Sequence, residues 1–221
     1  METSTLPFTA EVLASVVAGY NHAVWPAHIV AVALALALLG LALRNRAAGE
    51  RRFGGHVSGL ALAAAWAWTG AVFHLQHFAA INFMAPVYGW VFMGQSLLFA
   101  WSGAVRGRLT PRLDGSTVGW AGVALAAYAV VGDPALAVMT GEGLARAEVV
   151  GLAPGPTALF TLGLLLLADG RAPLHLAAVP VLWTLIAGAT ACALGMVEDL
   201  TLPLLGLGSL ALILWKNRQC R

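Results

Sequence analysis

Polar positions in this chain fall in short clusters between long apolar runs. Seven runs approach the roughly 20 residues that a helix needs to cross a bilayer core of about 30 Å. They lie at about 24–43, 57–78, 86–105, 116–132, 156–169, 173–195 and 200–216. Runs such as Ile29 to Leu43 show none of the alternation of a barrel strand. In lipid every backbone polar group needs a partner inside the segment, which leaves helices. The pattern predicts an all-α, polytopic bundle of about seven transmembrane helices in one integral-membrane domain, 1–221. The fifth run is the shortest. Its uninterrupted stretch, Pro156 to Ala168, is short for a crossing, so it is expected to tilt or to start deeper. It follows Pro154-Gly155-Pro156, and Thr157 and Thr161 flank Phe160. That reads as a rigid entry turn in which Thr157 bonds to nearby backbone. A short, broken helix of this kind can line a cavity.

Composition narrows the class. The chain is 60% hydrophobic and 10% charged, with a mean hydropathy of +0.82. A soluble domain is about 45–50% apolar and about 25% charged. Soluble, disordered and disulfide-stapled classes are excluded, and two cysteines, Cys192 and Cys220, make no framework or zinc ribbon. No basic residue precedes the first apolar run, so it reads as an uncleaved span and not as a secretory signal.

Charge sets the orientation. With the loops after spans 1, 3 and 5 and the C-terminus on one side, that side carries eleven of the twelve Lys and Arg residues. Only Arg146 lies opposite, together with Glu2, Glu11, Asp133, Glu142, Glu148, Glu198 and Asp199. The positive-inside rule then predicts N-terminus out and C-terminus in. Tyr20, Trp25, Tyr88 and Trp90 are expected at the outer boundary, and Trp120 and Trp215 at the inner one. Residues 5–20 read as a short interfacial helix, Asp133-Pro134 as the exit from span 4, and Asp199 as the cap of span 7. Gly115/Gly119 and Gly188/Cys192 have the spacing of close helix contacts. Thr69, Gln95 and Ser96 read as buried groups bonding between helices. Lys216, the only lysine, reads as an anchor reaching the interface and not as a retinal attachment point.

Polar groups inside a membrane mark function. At about 1.5 Å of rise per residue, His22 and His77 share the outer level, while His28 and His74 share one roughly 6–8 Å deeper. His74 and His77 are spaced i, i+3 and would share an α-helical face. Imidazoles with a carboxylate suit a transition metal, and His74, His77 and Glu198 are the candidate ligands. Asn21, Asn82 and Thr157 are candidate ligand-binding residues beside them. A bis-histidine haem between His28 and His74 meets the condition of equal depth alone, so haem is disfavoured. No Walker loop, Rossmann glycine fingerprint or nucleophile elbow is present. The inner basic residues are accounted for by topology, so nucleic acid is not an expected partner.

Four pieces carry a resemblance: Tyr20-Asn21-x-x-Val24-Trp25-Pro26; Phe73-His74 with Phe78 and Ile81-Asn82; Pro156-Thr157-x-x-Phe160-Thr161-Leu162-Gly163; and Glu198-Asp199-Leu200. On these, spread from span 1 to span 7, the chain resembles a bacterial multi-pass membrane family, a domain of unknown function. That pattern has glutamine where His28 stands and cysteine where Gly155 stands. The departures tell against haem through His28 and weaken His77 as a ligand. The resemblance implies a protein of the bacterial cytoplasmic membrane and supplies no activity. The functional expectation is an outward-facing polar pocket of Asn21, His74, Asn82, Thr157 and Glu198. It would bind or transport a transition-metal ion or a small polar solute. The alternatives are a metal-dependent membrane enzyme with Glu198 as general base, or a non-catalytic helper subunit. Catalytic residues, the cofactor and the oligomeric state are not legible in the residues.

Overall fold

A computed structural model describes residues 6–44, 48–139, 143–196 and 200–220. Glu198 and Asp199, and with them the expected cap of the last helix, lie outside the described residues. The architecture is all-helical. The helices are α1 (Ala10–Ala23), α2 (Ala27–Leu43), α3 (Ala48–Trp68), α4 (Ala85–Phe99), α5 (Thr117–Met139), α6 (Pro154–Leu166), α7 (Leu174–Leu194) and α8 (Thr201–Gln219). Two of them change winding without a break. α3 continues as a π-helix over Thr69–His77, and α4 does so over Ala100–Val105. Among the described residues the only β-pairing is one isolated bridge, Pro111 to Ala168.

Each of the seven apolar runs thus contains a helix, but length separates them. Among the described residues two helices are long and apolar enough to cross a membrane, Phe53–Ala80 and Leu174–Leu194. The count rises to three if α1 and α2, bent by 88° across the cis Trp25–Pro26 bond, form one span. Thr117–Gly132 and Pro154–Leu166 are apolar but shorter.

The shortest predicted run turns out to be the centre. All thirteen residues of α6 are buried. At about 1.5 Å per residue it is only about 20 Å long. It packs against α5, α7, α8 and α3. The tightest approach is to α5, where a Cβ on Gly163 would lie 2.8 Å from the Ala126 nitrogen and one on Gly122 2.8 Å from the Gly163 carbonyl. Only glycine allows two helix backbones this close. Gly188 likewise admits Pro203 of α8. Gly115 does not act in this way. Its φ of +78° closes the loop before α5, and no neighbour lies within 4 Å of where its Cβ would stand.

The ends of the helices sort into two groups. At one end Leu113 N–H donates to Ala42, Arg112 N–H to Leu167, and Asp169 N–H to Thr110. Asn217 exchanges hydrogen bonds with Ala172 at the same end. The basic stretches around residues 106–112, 171 and 216–218 belong to these same segments. The opposite end holds α1, the turn Leu144–Arg146 and the amino end of α6.

Several local expectations change. α5 does not stop at Asp133-Pro134 but runs to Met139 with Pro134 inside it. Pro134 removes one hydrogen bond, to the Val130 carbonyl, and its ring crowds that carbonyl, a local cost that the helix carries without ending. Tyr20 is an interior residue, only 1% exposed. Its hydroxyl donates to the Leu152 carbonyl at 2.8 Å and accepts from Trp68 Nε1 at 3.0 Å. Trp25, Trp90, Trp120 and Trp215 do face outward. Gln95 and Ser96 bond between helices, to Leu176 and Ala63, whereas Thr69 bonds back to Ala65 of its own helix. Lys216 does not extend to solvent. It is buried under the carboxyl end of α6.

Candidate functional site

The amino end of α6 opens into a cavity of about 350 Å³. That volume falls in the lower part of the range for small-molecule sites. α1 supplies one wall with Leu13, Ala14 and Val17, and α7 supplies another with Trp183, Ala187 and Thr190. Phe73, Phe78 and Asn82 come from the π-helix and the turn after it, Tyr88 from α4, and Tyr128 and Ala129 from α5. Pro154, Gly155 and Pro156 line it too; they are the first residues of an unbroken α6 and not a separate entry turn before a broken helix. Met196 and Thr201, which bracket Glu198 in sequence, also line it.

The entry turn of α6 is locally self-sufficient. Thr157 Oγ1 donates to the Ala153 carbonyl and accepts from Gly151 N–H at 2.8 Å. Thr161 donates to the Thr157 carbonyl and accepts from Trp66 Nε1. Two of the first three helical residues, Pro154 and Pro156, have no N–H to offer. Over the third, Gly155, lies a carboxylate, since a Cβ there would stand 3.1 Å from Glu148 Oε2. A negative charge at this position is favoured by the helix dipole. Glu148 went unassigned as a site residue in the sequence because an acidic residue in a loop has no local signature. Its role comes from the helix that the loop meets.

Charge at the cavity comes from Glu11, Glu148 and Arg146. The Thr9 hydroxyl beside Glu11 holds its carboxyl below the usual range. Burial pushes the Tyr20 phenol up to about 12; the Trp68 hydrogen bond opposes this and the Glu148 charge adds to it.

His74 lies behind the cavity wall and is fully buried. Its ring meets Phe92 at 4.7 Å, Trp183 at 4.9 Å, Phe73 at 5.2 Å, and Phe78 and Tyr88 at 5.9 Å. Neither imidazole nitrogen has a hydrogen-bond partner among the described residues, and neither does Trp183 Nε1. The i, i+3 pairing with His77 does not carry over into the π-helix. A π turn takes more residues than the 3.6 of an α-helix, so the two rings diverge. His77 turns to α1, where its ring meets Tyr20 at 5.0 Å and Nδ1 donates to the Val72 carbonyl.

The other predicted residues divide between cavity and scaffold. Asn82 lines the cavity while its side-chain oxygen accepts from Met84 N–H. Asn21 is tied into α1 packing, donating to the Ala145 and Ala147 carbonyls and accepting from His28. His28 stacks on Trp25, so it and His74 sit among different rings. Among the described residues no group of three His, Cys, Asp or Glu side chains can hold a metal ion. Besides Glu148, the lining residues that sequence reasoning missed include three aromatics, Tyr88, Tyr128 and Trp183. Each sits in an apolar run where lipid-facing and cavity-facing rings read alike.

No curated protein and no solved structure matches the chain. A family model does match, over residues 10–221. On that near-complete coverage, the chain belongs to the family of unknown function DUF6064.

Proposed function

We propose that the chain is a seven-helix polytopic protein of the bacterial cytoplasmic membrane, N-terminus out and C-terminus in, whose outer cavity binds a small solute. The observation that carries this reading is the cavity over the amino end of the short, fully buried α6. Non-helical backbone at membrane depth is tolerated where it lines a cavity, and broken helices build such sites in transport proteins. The gathering of the arginine-rich segments at the opposite end supports the orientation. α1, nearly perpendicular to α2, then lies along the outer surface as a cover of the cavity.

A small organic solute is favoured over a metal ion. The described lining is mostly aliphatic side chains and rings, with hydroxyls, the Asn82 amide and the charged Glu11, Glu148 and Arg146, and the described residues hold no three-ligand cluster. His74, His77 and Glu198 remain the residues to test for a metal.

The test is a thermal-shift screen of detergent-purified, tag-free protein with organic solutes and with zinc, copper and iron salts. A bound solute raises Tm in proportion to the logarithm of its concentration over Kd. The expected result is a shift with an organic solute that Ala187→Phe, which fills the cavity, removes. A shift with metal that His74→Ala or Glu198→Ala removes would replace the solute reading with the metal one. No shift from any solute or metal would overturn both and leave the helper role.

A further inference from the structure

We propose that the cavity takes an organic ammonium cation, an inference that rests on the reading of this cavity as a solute site. The first support is the wall. Phe73, Phe78, Tyr88, Tyr128 and Trp183 all line it. Tyr88 and Trp183 meet at 5.4 Å and 76°, forming a corner of two ring planes nearly at right angles. Ring faces attract cations, most strongly where water is excluded, and boxes of this kind recognise alkylated ammonium groups. The His74 ring packs behind both Tyr88 and Trp183 and braces the corner.

Charge is the second support. Among the described lining residues two carboxylates, Glu11 and Glu148, outnumber one guanidinium, Arg146. The Thr9 hydroxyl favours the carboxylate form of Glu11.

The third is the exclusion of the opposite sign. A helix amino end would ordinarily welcome an anion. Here Pro154 and Pro156 withdraw two donors, and the Glu148 carboxylate already stands over Gly155. A second anion would meet like charge.

The probe is choline, compared with 3,3-dimethylbutan-1-ol, which has the same shape with carbon in place of the charged nitrogen. Both are titrated calorimetrically into the full chain in lipid nanodiscs at low ionic strength. Choline should bind at least about tenfold tighter than the alcohol, and Trp183→Leu and Glu148→Gln should each weaken it by about tenfold. Tyr128→Leu, at a half-exposed position, and Trp183→Phe, which keeps a ring, serve where a variant fails to fold. They should weaken choline by about threefold to tenfold and by less, respectively. Equal affinity for choline and the alcohol would overturn the ammonium proposal and leave the solute site standing. Absence of choline binding would also overturn it, and the broader solute screen then decides the solute site separately.

Discussion

The Lys216 ammonium donates to the Leu166 carbonyl at 2.7 Å and to the Ala168 carbonyl at 2.5 Å. The chain's only lysine therefore closes the carboxyl end of α6, the helix whose amino end lies under Glu148. Arg112 N–H takes the Leu167 carbonyl between them. The last carbonyls of a buried helix have no water to bond, and a cation there also meets the negative end of the dipole. Lys216→Met keeps the stem and removes the charge. It should cost about 2–4 kcal/mol, since two buried carbonyls lose a charged donor. Thermal unfolding in detergent measures this. A change under about 0.5 kcal/mol would sink the capping role.

Close packing of α5 on α6 gives a graded prediction. Gly163→Ala and Gly122→Ala each drive a methyl into the facing backbone and should destabilise by about 1–3 kcal/mol. Gly40→Ala, with no neighbour within 4 Å of the new methyl, should be neutral or stabilising by up to about 1 kcal/mol. Equal effects at all three positions would contradict the contact.

Alkali should expose Tyr20. Its phenol ionises near 10.0 when free and at about 12 in the fold, chiefly because of burial. A raised folded value means that the contribution to stability is complete below pH 10 and drains away as pH rises toward 12. Phenolate absorbance should show a late step for Tyr20, and Tyr20→Phe should remove that step. Loss of the bond to Leu152 should also cost about 1 kcal/mol at neutral pH.

His74 offers an opposite sign. Both of its nitrogens are buried without partners among the described residues. An apolar residue of similar size relieves that desolvation, so His74→Leu should leave stability unchanged or raise it by about 1–2 kcal/mol. A large loss of stability would mean that the imidazole is satisfied by a bound group.

Orientation is checked with the chain's own thiols. In a Cys192→Ala background, Cys220, exposed after α8, should resist a membrane-impermeant maleimide in intact cells and react once they are permeabilised. Reaction in intact cells would overturn the C-in orientation.

The helices were legible because their signal is local. A long apolar run between charged clusters reports its own preference for lipid or protein interior, whatever it later touches. The two-ended sorting of arginines is local in the same sense, and the segments that carry them do meet at one end of the bundle. Pro154-Gly155-Pro156 announced the start of a short helix for a similar reason: two prolines and a glycine specify backbone without help from neighbours.

What the tertiary structure decided is relative placement. That α6 sits at the centre depends on glycines of two helices meeting, and no single run records which glycine faces which. Lys216 looked like an interfacial anchor because its depth in α8 is all that sequence shows. Its two acceptors lie 48 and 50 residues away in the chain. His74 and His77 looked like a pair because i, i+3 assumes α winding. Three-dimensional packing of Gly70 against Gly89 accompanies a π turn instead, and the rings part. The cavity wall was hidden for the most general reason. Tyr88, Tyr128 and Trp183 come from three helices, and a site assembled from single residues on separate helices has no spacing to read.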